Sequence, residues 1–362
     1  MIAGPGALAA WHPSFEKGGV PRVGRSLLIL AGLSAILLVV ALLAIAIGAV
    51  YIAPTAILGM ALQWAPVHPT RTWSDADLAI ITQIRLPRVL TAIMVGSALA
   101  AAGTAFQGLF RNPLADPGII GASAGASLGA IVALLLPVQV AWLGFSLTPL
   151  AAFAGALGSM FLVYFLARIG GRLPSTTLLL AGFAVSAALN AVTSIMETLS
   201  DRLREMYTWL MGNLDLNVGE SLLAATPLLV IGMAGLLALA GDMNVLLLGD
   251  EQSQYLGLRV TQRRVLILIF ASLLTSVAVA LGGLIVFVGL LAPHLTRLLF
   301  GANHRLLLPA AMLMGAIFLL VADLVARMAL PGQELPVGLI TALLGAPWFI
   351  ILLRRKRGEY TF

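Results

Sequence analysis

What most constrains this chain is the length of its stretches without Asp, Glu, Lys or Arg. Ser26–Ile52, Val89–Phe110, Val138–Ala167, Leu173–Met196, Ser221–Gly241, Val265–Thr296, Leu306–Ala322 and Leu335–Leu353 contain none. A helix needs roughly 20 apolar residues to cross ~30 Å of hydrocarbon, and these blocks supply that length repeatedly. They lack the alternation over roughly 10 residues that marks a membrane barrel. The chain is therefore predicted to be all-α, a polytopic integral membrane protein. Composition agrees, with 60% of the 362 residues hydrophobic and 10% charged, against about 25% charged in a soluble chain.

The first block is too long for the apolar core of a signal peptide, and no small-residue cleavage site follows it, so it is read as a retained span. The absence of cysteine excludes disulfides and thiol chemistry. A net charge of +6 invites a nucleic-acid reading, but the cations are distributed as topology signals and no nucleic-acid partner is expected. Residues 1–25 form a predicted cytoplasmic tail. Spans are expected at about 26–50, 86–109, 116–136, 143–167, 176–197, 221–241, 263–282, 285–297, 306–328 and 336–353. Residues 53–84, with their prolines, Trp64, Trp73, Asp75 and Asp77, are expected to be an external loop. The polar stretch 198–220 reads as an interfacial helix outside, and 356–362 as a second cytoplasmic tail. The block Val265–Thr296 is too long for one span and short for two. Arginines at both of its ends and Gly282-Gly283 inside it point to a full span followed by a short or broken one, a device often found beside a transport route. With ten spans and both termini inside, 15 of the 21 cations fall on the cytoplasmic side, as the positive-inside rule requires.

Candidate chemistry is sparse. Asp323 is the principal ionisable residue within a span, and Arg327, four residues on, shares its helix face and can pair with it. A proton-driven carrier would need a chain of such groups. No phosphate-binding loop, nucleophile–base pair or metal-ligand cluster is visible, and His294 and His304 fall at a predicted loop. These absences disfavour a secondary carrier and a membrane enzyme. The segment "RNPLADPGIIGASAGASLGA" (111–130) breaks the apolar pattern. Asn112-Pro113 and Asp116-Pro117 force turns, because a residue before proline avoids the helical region. The Gly, Ala and Ser that follow offer a face for close helix packing. The hairpin reads either as a tight turn or as a polar plug at the inner mouth of a pathway.

The run "RLPRVLTAIMVGSALAAAGTAFQGLFRNPLADPGIIGASAGASLG" (85–129) resembles the permease subunits of type II ABC importers for iron–siderophore complexes, haem and vitamin B12. So do "LLLAG" (178–182), "YLGL" (255–258), "FVGLLAPHLTR" (287–297), "ADLVAR" (322–327) and "ELPVGLITALLGAPWF" (334–349). Asn303 stands where the family often has Asp. The resemblance implies one ten-helix permease domain over 26–355, pairing with a second copy of itself and with two ABC ATPase subunits in the inner membrane. ATP and magnesium would be bound by those partners, and this chain would hold no cofactor and no metal and would not be an enzyme. It implies a cytoplasmic gate at Asn112, Leu114, Ser175 and Thr176. It also implies a cytoplasmic ATPase-coupling segment within 242–262, carried by Gly249, Asp250, Glu251, Leu256, Gly257 and Leu258. A periplasmic or lipid-anchored substrate-binding protein would dock through Arg85, Arg88 and Arg327. The expected substrate is an iron complex, haem favoured or else a ferric siderophore, with vitamin B12 as the alternative.

Overall fold

The computed structural model describes residues 23–48, 50–62, 71–137, 141–142, 145–170, 173–214, 220–330 and 333–355. The 356–362 tail, and the first tail up to residue 22, lie outside the described residues. Among the described residues, seven helical stretches are long and apolar enough to cross a membrane. They comprise α1 (Val23–Ala46), the run from α3 (Asp75–Ala79) through α4 (Leu86–Phe110), α6 (Leu147–Ala167), α7 (Ser175–Thr198), α9 (Glu220–Ala238), α12 (Val260–Gly282) and α14 (His304–Met328). Three shorter apolar helices, α5 (Ala122–Leu135), α13 (Val288–Phe300) and α15 (Val337–Arg355), lie among them.

α4 is the axis of the bundle. It packs against α12, α13 and α14, and nearly all of its residues from Val95 onward are buried. Such burial demands small side chains. A Cβ built on Gly103 would lie 1.8 Å from the Gly289 carbonyl oxygen of α13, and one on Gly96 would lie 2.4 Å from the Gly315 oxygen of α14. α5 and α6 meet in the same way, Gly125 against the Gly155 oxygen at 2.2 Å. Close small-residue packing replaces hydrophobic collapse as the glue of a helix bundle in lipid. α1, by contrast, touches the bundle mainly through α14 and is exposed over most of its length. An apolar exposed helix of this kind is what hydrocarbon contact requires.

Three sequence expectations are corrected. Residues 53–84 are not simply a loop, since they contain α2 (Pro54–Leu62) and the beginning of the long helical run. Ser74 and Asp77 start that run with a reciprocal capping box, which satisfies two of the orphan amides at a helix N-terminus. The same Asp residues that read as loop markers are thus first-turn residues. Between α3 and α4 the chain takes a π-helical course, Ile80–Arg85, a widening common at functional sites. Second, His294 lies within α13 and His304 opens α14; both are buried. Third, residues 141–142 and 145–146 pair as a minimal antiparallel ribbon, which the sequence did not suggest. The expected break after α12 is present. Gly283 has φ +69° and hands over to α13, whose 13 residues rise about 20 Å at 1.5 Å each.

Candidate functional site

Two arginine clusters mark the opposite ends of α4. At its N-terminal end Arg85, Arg88 and Arg327 are each 8% exposed or less. Arg88 Nε donates to Asp323 Oδ1 at 2.9 Å, and its Nη1 bonds to Glu334. Arg327 Nε lies 3.1 Å from the second oxygen of Asp323, the i,i+4 pair the sequence allowed. The remaining donors reach α1. Arg327 Nη2 donates to the Ala44 carbonyl at 3.0 Å and Nη1 to Ile47 at 3.3 Å. Arg85 Nη1 donates to Ile45 at 2.8 Å and Ala46 at 3.1 Å, and its Nη2 to Val50. The last carbonyls of a helix have no partner within it and carry the negative end of its dipole. The two guanidiniums therefore cap α1. Gly48 makes room for this, since a Cβ there would sit 2.7 Å from Arg85 Nη2.

The expected docking patch is thus not a surface patch. Arg85 and Arg88 lie three apart, yet they serve different neighbours, one the end of α1 and the other Asp323 and Glu334. Glu334, which the sequence reading did not single out, is the half-exposed member, at 44%. It follows the turn after α14, and no local pattern marks it as a partner of a residue 246 positions away.

At the other end of α4, Arg111 ends the helix in the left-handed region, φ 49° and ψ 34°. Asn112 Oδ1 then accepts from the Leu114 amide at 3.0 Å, and Asp116 Oδ1 from the Gly118 amide at 2.8 Å. These two Asx turns shape the hairpin that the prolines announced. Burial pushes the Asp116 carboxyl above its ordinary pKa, an effect the Gly118 amide offsets in part. Beside the hairpin stand two short helices, α10 (Ala240–Leu246) and α11 (Asp250–Tyr255). α11 closes in a Schellman motif. The Leu258 amide bonds to Ser253 O at 3.0 Å and the Gly257 amide to Gln254 O at 2.8 Å, with Gly257 at φ +83°, the conformation this motif assigns to glycine. Gly249, at φ +111°, opens the helix. Glu251, Tyr255 and Leu256 are exposed on it.

The hairpin and this segment are bonded to each other. Arg111 Nη2 and Arg264 Nη2 both reach Asp250 Oδ1, each at 2.7 Å. Arg111 Nε also donates to Leu246 O at 3.0 Å, and Arg264 Nη1 to Leu173 O at 3.4 Å. Leu173 lies two residues before Ser175, which opens α7; Thr176 is exposed there, and the side chain of Ser175 lies outside the described residues. The structure therefore brings Asn112, Leu114 and the start of α7 to the same end of the bundle as Asp250. Arg264 was not foreseen, because nothing in the pair Arg263-Arg264 says which one turns inward. Arg263 turns to Asp242 at 3.2 Å.

A helical bundle closed by small-residue contacts, ion-paired at both ends and carrying one short exposed helix, α11, at one of them, has the build of a membrane permease. The chain belongs to the FecCD transport family, which it matches over residues 36–355; members of that family are permease subunits of type II ABC importers and are not themselves catalytic. It is 48% identical over 278 residues to the cobalamin import system permease protein BtuC of Halobacterium salinarum, covering 76% of this chain and 74% of that one. It is 44% identical over 298 residues to the hemin transport system permease protein HmuU of Yersinia pestis, covering 79% and 86%. A solved structure described as an inward-facing conformation of a metal-chelate type ABC transporter superposes with a TM-score of 0.76 at 33% identity, over 90% of this chain and 99% of that one.

Proposed function

We propose that two copies of this chain form the membrane pathway of an importer for a metal chelate, driven by two ATPase subunits and fed by a substrate-binding protein. The end bearing Arg111 and Asp250 faces the cytoplasm of the inner membrane, and the end bearing Arg88 faces outward, as the cation bias favours. Asn112, Leu114, Ser175 and Thr176 form the cytoplasmic gate. Gly249, Asp250, Glu251, Leu256, Gly257 and Leu258 form the segment on which an ATPase subunit sits, and ATP with its magnesium belongs to that subunit. The observation that carries this reading is the exposed α11, with Tyr255 and Leu256 uncovered, bonded to the hairpin at the mouth of the bundle. In an importer driven by a separate ATPase, this segment offers that partner a shaped contact.

On the outer side Arg88 is the proposed docking residue. Glu334 covers it and is half exposed, so a carboxylate of the binding protein can take the place of Glu334. Arg85 and Arg327 are committed to the carbonyls of α1 and hold that helix instead.

Haem is the first reading of the cargo and cobalamin the second; the likenesses to the hemin permease and to the archaeal cobalamin permease support the two equally. Both are bulky metal macrocycles. Reconstituted with its ATPase and binding protein in liposomes, the complex is expected to accumulate labelled hemin in an ATP-dependent manner. Accumulation of cyanocobalamin but not hemin would move the assignment to the second reading, and ATP-independent uptake of either would overturn the importer assignment.

A further inference from the structure

We propose that Asp250 is a positioning residue that links the ATPase-facing segment to both sides of the cytoplasmic gate, through Arg111 and Arg264. The inference rests on the gate and ATPase-segment assignments above and adds the physical connection between them.

One carboxylate oxygen, Asp250 Oδ1, accepts from both guanidiniums. Each arginine has a second hold on a different element. Arg111 is the residue from which the gate hairpin departs, and it also grips Leu246, the last residue of α10. Arg264 lies in the first turns of α12 and reaches the carbonyl of Leu173, at the entrance to α7. Asp250 itself is the first residue of α11, so a partner that tilts or shifts this short helix moves the carboxylate directly. Two cations gathered on one oxygen repel each other. When Asp250 moves away, they have reason to separate, one carrying the hairpin and the other the α7 entrance. Discrete ion-pair rearrangement of this kind is a recognised carrier of coupling between sites.

The backbone supplies a second observation. Arg111 occupies the left-handed position that ends α4, where glycine or asparagine is usual. A long side chain persists in such a conformation when its surroundings over-determine it, and observed strain of this sort points to function. Here the surroundings are Leu246 and Asp250. Asp250 is also 45% exposed and Arg264 12%, so the link is anchored on the bundle side and open on the partner side.

The test uses the permease–ATPase complex in nanodiscs. The chain has no cysteine, so Leu114→Cys places a single thiol on the hairpin, and its rate of reaction with a membrane-impermeant maleimide is measured with and without ATP and vanadate. In the Leu114→Cys background nucleotide should change that rate by at least about fivefold, the lower end of ordinary coupling strengths. Adding Arg111→Gln with Arg264→Gln should reduce the change to under about twofold, while ATPase co-purification and ATP hydrolysis persist, because the exposed Tyr255 and Leu256 of the ATPase-facing segment are left untouched. Arg111→Lys with Arg264→Lys, which keeps the charges, should retain most of the response. An undiminished response in the assembled glutamine variant overturns the proposal and leaves the gate and segment assignments standing. If the glutamine pair does not assemble, Asp250→Asn in the Leu114→Cys background decides, an undiminished response overturning the link and a lost one supporting it. No response in the Leu114→Cys background overturns the gate assignment and the link together. A Leu256→Asp variant that still co-purifies with the ATPase overturns the segment assignment and the link with it.

Discussion

The arginine clusters at the two ends of α4 differ in what surrounds them. At the N-terminal end Asp323 is fully buried between Arg88 and Arg327, and the spare guanidinium donors cap the end of α1. At the C-terminal end Asp250 is nearly half exposed, and each arginine bonded to it holds one further carbonyl. A buried ion pair cannot be broken cheaply, because the partner left behind is a charge without water; an exposed pair exchanges with solvent at little cost. The first cluster is thus a fixed joint among α1, α4 and α14, and the second is suited to rearrangement. A transporter needs both a rigid frame and movable contacts.

The largest effect is expected at Asp323. Asp323→Ala removes the buried carboxylate shared by Arg88 and Arg327, leaving Arg88 only the half-exposed Glu334, and should cost about 3–5 kcal/mol. Thermal unfolding of the detergent-solubilised protein should show a large fall in midpoint or loss of monodisperse material. A variant of wild-type stability would mean that the cluster is no joint.

An intermediate effect is expected at Glu334. Glu334→Gln removes the exposed cover of Arg88 while Asp323 remains in place. Stability should change by no more than about 1 kcal/mol. Binding of the substrate-binding protein should tighten severalfold and become more sensitive to salt, since screened charge pairs weaken with ionic strength. Titration of the two proteins at low and high salt measures both. Weaker binding at both salt concentrations would remove Arg88 from the docking contact.

The smallest effect on stability belongs to the inner cluster. Arg111→Gln should shift the unfolding free energy by about 0.5 kcal/mol or less, as for other exposed pairs. A loss comparable with that of Asp323→Ala would erase the distinction between the two ends.

Much of this was legible in the chain itself. Long uncharged blocks dictate membrane helices whatever their neighbours, since hydrocarbon offers no partner to a bare backbone. The break at Gly282-Gly283 and the hairpin at Asn112-Pro113 and Asp116-Pro117 follow from local sterics, which act over a few residues and therefore appear in a few residues of sequence. The pairing of Asp323 with Arg327 was visible for the same reason, being one helical turn apart. What only the tertiary structure decided is the long-range use of charge. Arg85 and Arg88 looked equivalent at three residues' spacing, but the π-helical turn before α4 and the arrival of α1 give them different partners. Asp250 meets Arg111 across 139 positions of chain, and Arg264 rather than Arg263 turns toward it. A guanidinium on a flexible stem can satisfy itself with any carbonyl or carboxylate within reach, and the packing of helices distant in sequence sets what lies within reach.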